Sequence, residues 1–223
     1  AAELSAAMSS ATEKIRPDAA HFDAKAREWD QNPVFRERGE KLAAAVRARV
    51  PLHRGMKMLD YGCGTGALSF PLKDEVGAAL LADHSAGMLA VCTERIAEQG
   101  ISHYATSQLD LMSGTLPDTK FDLIVTAMTL HHVPDTGRIL EIFHDLLAPG
   151  GHLCVADLDT EDGSFHGPEV DVHRGFDRDE LGKHVGDAGF ASCEFDTVYA
   201  ISKDTETGPR DYPVFLLHAR RAA

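Results

Sequence analysis

Cysteine is scarce in this chain of 223 residues. Its placement excludes a disulfide-stapled scaffold, because Cys63, Cys92, Cys154 and Cys193 are widely spaced and form no C-x-x-C pair. Such thiols lead to the expectation of a reduced, cytoplasmic setting. Long apolar runs are missing as well: no stretch approaches the roughly 20 residues that span a bilayer, and Ala1 to Ala20 are small and polar, without the hydrophobic centre of a secretion signal. Positive charge is short, with 22 Lys plus Arg against 35 Asp plus Glu and a net charge of −13. A nucleic acid would have to bind against that average field, so no nucleic-acid partner is expected. The one series of cations, Arg36, Arg38, Lys41, Arg47, Arg49 and Arg54, is interleaved with apolar residues and reads as the wet face of a helix. No Ser/Gly-rich linker and no repeat divides the chain. Its length therefore suits one large core.

What is present begins with Lys57–Met58–Leu59–Asp60–Tyr61, an apolar strand that runs into Gly62–Cys63–Gly64–Thr65–Gly66, followed by a helix-like stretch from Ala67 to Phe70. Glycines at alternate positions permit a sharp turn and bring backbone N–H groups close to a ligand. Gly62, Gly64 and Ala67 also satisfy the G-x-G-x-x-G/A pattern of dinucleotide-binding proteins, so the turn alone leaves the ligand open. Asp60 favours a cation, because a carboxylate two residues before the first glycine would repel a pyrophosphate.

An acid two residues before a G-x-G-x-G turn resembles the first motif of the class I S-adenosylmethionine-dependent methyltransferases, whose cofactor carries positive amino and sulfonium groups. Further segments fit that resemblance in order. The strand Ala78–Ala82 ends at Asp83–His84, and Asp83 lies 17 residues past Gly66, near the spacing at which a carboxylate accepts from both ribose hydroxyls. Ser85 suits a helix N-cap. Met88 either covers the adenine ring or is a core residue of an amphipathic helix. Asp110 is the family's third acid, implied to accept from the adenine amino group while the Leu111 N–H meets the ring; the alternative is turn composition before Ser113–Asp118. Lys120–Met128 is a buried parallel strand. With Ala127 at its carboxyl end and Leu130–His131–His132–Val133 after it, the segment resembles the family's fourth motif. A helix capped by Asp135 or Thr136 and stopped at Pro149–Gly150–Gly151 leads into the strand His152–Asp157.

The resemblance covers roughly residues 20 to 220. It implies a doubly wound, Rossmann-like α/β fold whose seven-stranded, mostly parallel sheet has one antiparallel edge strand and helices on both faces. Residues 1–50 are expected to form a helical lid on a core at 51–223, with Phe22 and Trp29 over the active site or Trp29 simply anchoring the helix to the sheet. A second variable segment, the polar loop 159–176, carries His166, Asp171 and His173. No fixed ligand spacing supports a metal there, and none is expected; His166 and His173 line substrate or lie on the surface. After a helix from Asp177 to Gly189, strands are expected at 190–199 and 212–219, joined by a turn at 203–210.

The implied activity is methyl transfer from S-adenosylmethionine to a small-molecule acceptor by in-line displacement, yielding S-adenosylhomocysteine. Such a reaction mainly needs alignment and exclusion of water. A hydroxyl or carbon acceptor also needs a base, for which His132 is the candidate, with His131 structural. Two other classes stay open at this point: a non-catalytic cofactor-binding sensor or scaffold, and a nicotinamide-dependent oxidoreductase, which Asp60 disfavours.

Overall fold

The computed structural model describes Pro17 and residues 19–167, 169–205 and 208–223; the polar segment at 1–16 lies outside them. Two helices open the fold, α1 (Ala19–Gln31) and α2 (Pro33–Arg49). Asn32 caps α2 by accepting from the Val34 N–H, with Pro33 as a first helical residue that has no amide hydrogen to satisfy. Four cations of α2 and the loop after it are held in ion pairs: Lys41 with Glu37, Arg47 with Glu75, Arg54 with Asp74, and Arg49 with Asp196 and Glu194 of the last hairpin.

Seven strands follow, β1 (Lys57–Tyr61), β2 (Ala78–Asp83), β3 (Tyr104–Gln108), β4 (Phe121–Ala127), β5 (Leu147–Leu158), β6 (Ser192–Thr205) and β7 (Gly208–Arg220). Their spatial order is β3-β2-β1-β4-β5-β7-β6. The first five run parallel, and β7 pairs antiparallel with β5 on one side and with β6 on the other. The reversed strand therefore lies one place in from the edge, which β6 forms. Strand order turns back on itself between β1 and β4, and ligands of open α/β sheets bind at that switch point, outside the carboxyl ends of the strands.

Alternation along the strands divides the core. Met58, Leu123, Val125 and Cys154 pack with Leu42 and Val46 of α2 on one face. On the other, Leu59, Ile124, Leu153 and Phe215 pack with Ile139, Leu140 and Phe143 of α4 (Thr136–Leu146) and Leu181 and Val185 of α5 (Arg178–Asp187). Asp135 caps α4 through the Arg138 N–H, and Asp177 caps α5 through the Asp179 and Glu180 N–H groups. Among the described residues no helix is long and apolar enough to cross a membrane, and all four cysteines are free.

Three local expectations are corrected. The stretch after Gly66 forms turns and a short 3-10 helix at Phe70–Leu72 rather than an α-helix; Pro71 there lacks an amide donor and disfavours an α-helical residue before it. Strand five starts at Leu147, so Pro149–Gly150–Gly151 lies inside its span. The expected turn at 203–210 is largely ladder, with Lys203 opposite Arg210 and Thr205 opposite Gly208, because β6 and β7 form one long hairpin.

Candidate active site

The sequence motifs meet at the carboxyl ends of β1, β2, β4 and β5. Asp60, on β1, is 1% exposed, and the Ser69 hydroxyl donates to its Oδ2 at 2.5 Å. The turn beyond it is built on left-handed glycines, Gly62, Gly64 and Gly66 at φ of 70°, 54° and 82°. Side chains would not fit at two of them: a Cβ on Gly62 would stand 2.3 Å from the Thr129 hydroxyl, and one on Gly66 would stand 2.4 Å from the Phe70 ring. The Gly62 and Cys63 N–H groups both donate to Ala82 O, at 2.8 and 3.0 Å, which fastens the turn to β2. A hydrogen bond with Cys92, burial and nearby acids hold the Cys63 thiol well above its ordinary range, so it is not a nucleophile.

Asp83, at the end of β2, accepts from the Gly64 N–H at 2.8 Å and from the Ser85 N–H at 2.9 Å. Its carboxylate is thereby fixed in place beside the turn. Asp60 and Asp83 repel each other, and that repulsion adds to a larger effect of burial that lifts the Asp60 carboxyl to about 7 against the pull of Ser69. A cation seated here relieves both strains.

Helix α1 lies over this seat. Asp23 accepts from the Ser85 hydroxyl at 2.5 Å and the Gly87 N–H at 2.7 Å, so α1 is tied to the start of α3 (Ala86–Glu98), which Ser85 caps through the Met88 N–H. Phe22 stands edge-on to His84 and His132, with ring centroids 5.6 and 5.5 Å away, and Met88 is buried with Ala26 and Val91 beneath α1. Trp29 packs against Phe22 and Phe35 and so joins α1 to α2. A cleft of about 490 Å³ is lined by Trp29, Phe35, Thr65 and Phe70; it includes neither Asp83 nor His132.

Asp110 is exposed and accepts from the Met112 N–H and the Ser113 hydroxyl in a local turn. The Leu111 N–H points to the Tyr61 hydroxyl at 3.4 Å. Beyond Ala127, Met128 holds a φ of 54°, a left-handed conformation rare in a non-glycine residue, while its N–H donates to Ala156 O. This strained residue at the sheet's ligand edge carries no sequence signature.

The histidines form a group of their own. His131 is 1% exposed; its Nδ1 lies 2.7 Å from Asp157 Oδ1, and its backbone N–H donates to Oδ2 at 3.1 Å. Its Nε2 is hydrogen-bonded with His166 Nε2 at 3.0 Å, and the His132 ring lies tilted beside the His131 ring with centroids 4.1 Å apart. Burial and the neighbouring imidazoles push His132 down to about 2 and His166 to about 4, so both are neutral at pH 7. The Nδ1 of His132 is buried without a hydrogen-bond partner. His173 turns away from the group, with Nε2 on Val133 O and its backbone N–H on His131 O, both at 2.9 Å, and straps the loop 159–176 to the segment after β4. Of the loop residues, His166 thus joins His131 and His132. Asp157 was visible as the end of a strand, but nothing local signals its partner 26 residues earlier.

A doubly wound sheet with an acid and a left-handed glycine turn at its switch point defines a class I, Rossmann-like methyltransferase fold. The chain belongs to the methyltransferase-domain family, whose profile matches residues 52–185. It is 31% identical to the methyltransferase GfsG of Streptomyces halstedii over 55% of this chain and 45% of that protein. It is 37% identical to the ubiquinone/menaquinone biosynthesis C-methyltransferase UbiE of Cellvibrio japonicus over 47% of this chain and 43% of that protein. The chain thus spans about half the length of these curated relatives. Among solved structures, the N-methyltransferase NodS of Bradyrhizobium japonicum, in complex with S-adenosylhomocysteine, superposes with a TM-score of 0.69 at 19% identity over 92% of this chain and 98% of that one. The cyclase SpnF gives 0.67 at 20% identity over 82% and 81%. Likenesses at such identity establish the fold alone.

Proposed function

We propose that this chain transfers a methyl group from S-adenosylmethionine to a small-molecule acceptor. One observation carries the reading: Asp60 and Asp83, 1% and 6% exposed, stand at the ends of adjacent strands around a left-handed glycine turn, an arrangement that favours a cationic, ribose-bearing ligand. Asp60 would hold the amino group, Asp83 the ribose hydroxyls, and Asp110 with Leu111 the adenine, with Met88 beneath. The cofactor, when bound, supplies an electrophilic methyl group on a sulfonium.

The chain itself aligns the acceptor and excludes water. Phe22 and the rest of α1 cover the seat, and His132 and His166 border the acceptor side with neutral rings. With its conjugate acid held near 2, His132 stays neutral, orients the acceptor by contact and is a weak proton acceptor. The acceptor is a small molecule, since the net charge of −13 disfavours nucleic acid. The names of the quinone-pathway relatives make a phenol or quinol the first acceptor class to assay.

The test measures S-adenosylhomocysteine formed from S-adenosylmethionine with panels of phenols, amines and thiols. Turnover that depends on one acceptor class, that is lost in Asp83→Ala, and that falls in kcat without a change in cofactor affinity in His132→Ala is the expected result. Cofactor binding with no product from any acceptor class would favour a sensor or scaffold instead.

A further inference from the structure

We propose that His131, His132 and His166 form a binding site for a divalent transition-metal ion of the zinc or cobalt kind. Each offers a ring nitrogen, and the three nitrogens lie within 4.8 Å of one another. Three imidazoles are a donor set that zinc takes in tetrahedral sites that keep an open position, and imidazole suits the neighbouring first-row ions as well. At bond lengths of about 2.0–2.1 Å, two nitrogens on one tetrahedral ion stand roughly 3.3 Å apart. The His131 and His166 Nε2 atoms are already 3.0 Å apart, and a ring nitrogen of His132 lies within 4.8 Å of the other two ligand atoms.

Two further features point to a cation, and a third positions the loop that carries His166. Asp157, 0% exposed, takes the Nδ1 side of His131 at 2.7 Å. That contact places the proton on Nδ1, the carboxylate–histidine support that orients metal ligands. It leaves the Nε2 lone pair turned toward His166, to whose Nε2 it is hydrogen-bonded at 3.0 Å until an ion takes that proton's place. His132 Nδ1 is a buried polar atom with no hydrogen-bond partner, a costly condition that a ligand near the ring relieves. The loop that delivers His166 is held by two hydrogen bonds of His173 to the segment carrying His131 and Val133, so the third ligand is positioned without His173 joining the site. The spacing is non-local, His166 coming 35 residues after His131, and this is why no sequence motif announces it. Beside a sulfonium methyl, the ion's fourth position would face an oxygen or sulfur of the acceptor; that role rests on the methyl-transfer reading, whereas ion binding does not.

The test uses the full chain, stripped with chelator and titrated with Co²⁺ in the absence of any adenosyl compound. One equivalent should bind with the intense visible bands of a tetrahedral ion and be displaced by Zn²⁺. His166→Asn and His132→Asn should each weaken binding at least tenfold, while His152→Asn, in the separate buried pair with His218, should leave it unchanged. Bands that never appear, that persist in both site variants, or that vanish in His152→Asn overturn the proposal. S-adenosylmethionine binding, measured on the same stripped protein, reports separately on the methyl-transfer reading.

Discussion

Raising the pH from 5.5 to 7 is expected to tighten S-adenosylmethionine binding about 15-fold. The Asp60 carboxyl titrates near 7, chiefly because it is buried and secondarily because Asp83 is close. Its ionised fraction therefore climbs from about 3% to about 50% over that interval, while the ligand's amino group stays largely protonated. The sign for the empty protein is opposite. A carboxyl raised from 3.8 to about 7 favours the folded state fully below the unfolded value and loses that contribution as pH rises through 7. The loss is on the order of 4 kcal/mol at about 1.4 kcal/mol per unit. On the methyl-transfer reading, the stability given up at neutral pH presents a charge to the ligand. Asp60→Asn should abolish the pH dependence, weaken binding by about 10- to 150-fold, the value of a charge-assisted hydrogen bond, and raise the stability of the empty protein at pH 8. Calorimetry at pH 7 in phosphate and in Tris should show about half a proton released on binding. A flat affinity profile in the parent protein, or an unchanged slope in Asp60→Asn, refutes the reasoning.

Three further outcomes follow from the geometry. Gly62→Ala should cost about 2 kcal/mol or more, from the left-handed backbone and the collision with Thr129, and denaturant unfolding should recover part of that loss in a Thr129→Ala background. His131→Ala, measured without metal, should cost about 3 kcal/mol because the buried Asp157 loses its imidazole partner; a loss below about 0.5 kcal/mol would remove the pair from the account. Phe22→Ala removes ring contacts to His84, His132 and Trp29, so amide exchange across Ala19–Gln31 should accelerate while β1 keeps its protection.

The legibility of the sequence follows from how local each signal is. Buried parallel strands such as Phe121–Ala127 appear as continuous apolar runs, and α4 is announced by the Asp135 cap and its apolar stripe. Asp60 and the glycines declare themselves because acid and turn are adjacent in sequence. The helix expected after Gly66 was lost to Pro71, and the turn expected at 203–210 was overridden by ladder pairing across β6 and β7. Contacts between distant segments leave no local trace: Asp23 on Ser85, 62 residues away, and Asp157 on His131. Only the folded chain shows that α1 is fastened to the start of α3 beside the glycine turn, and that His166 rather than His173 turns toward the pair after β4.

The methyl-transfer reading turns on whether the glycine turn at the carboxyl ends of β1 and β2 binds an adenosyl sulfur compound. Equilibrium titration of the ligand-stripped full chain with S-adenosylhomocysteine and, separately, with NADH tests it most directly. The account predicts saturable one-site binding of S-adenosylhomocysteine that is lost in Asp83→Ala, and no NADH signal; NADH binding, or an S-adenosylhomocysteine titration indifferent to Asp83, would contradict it.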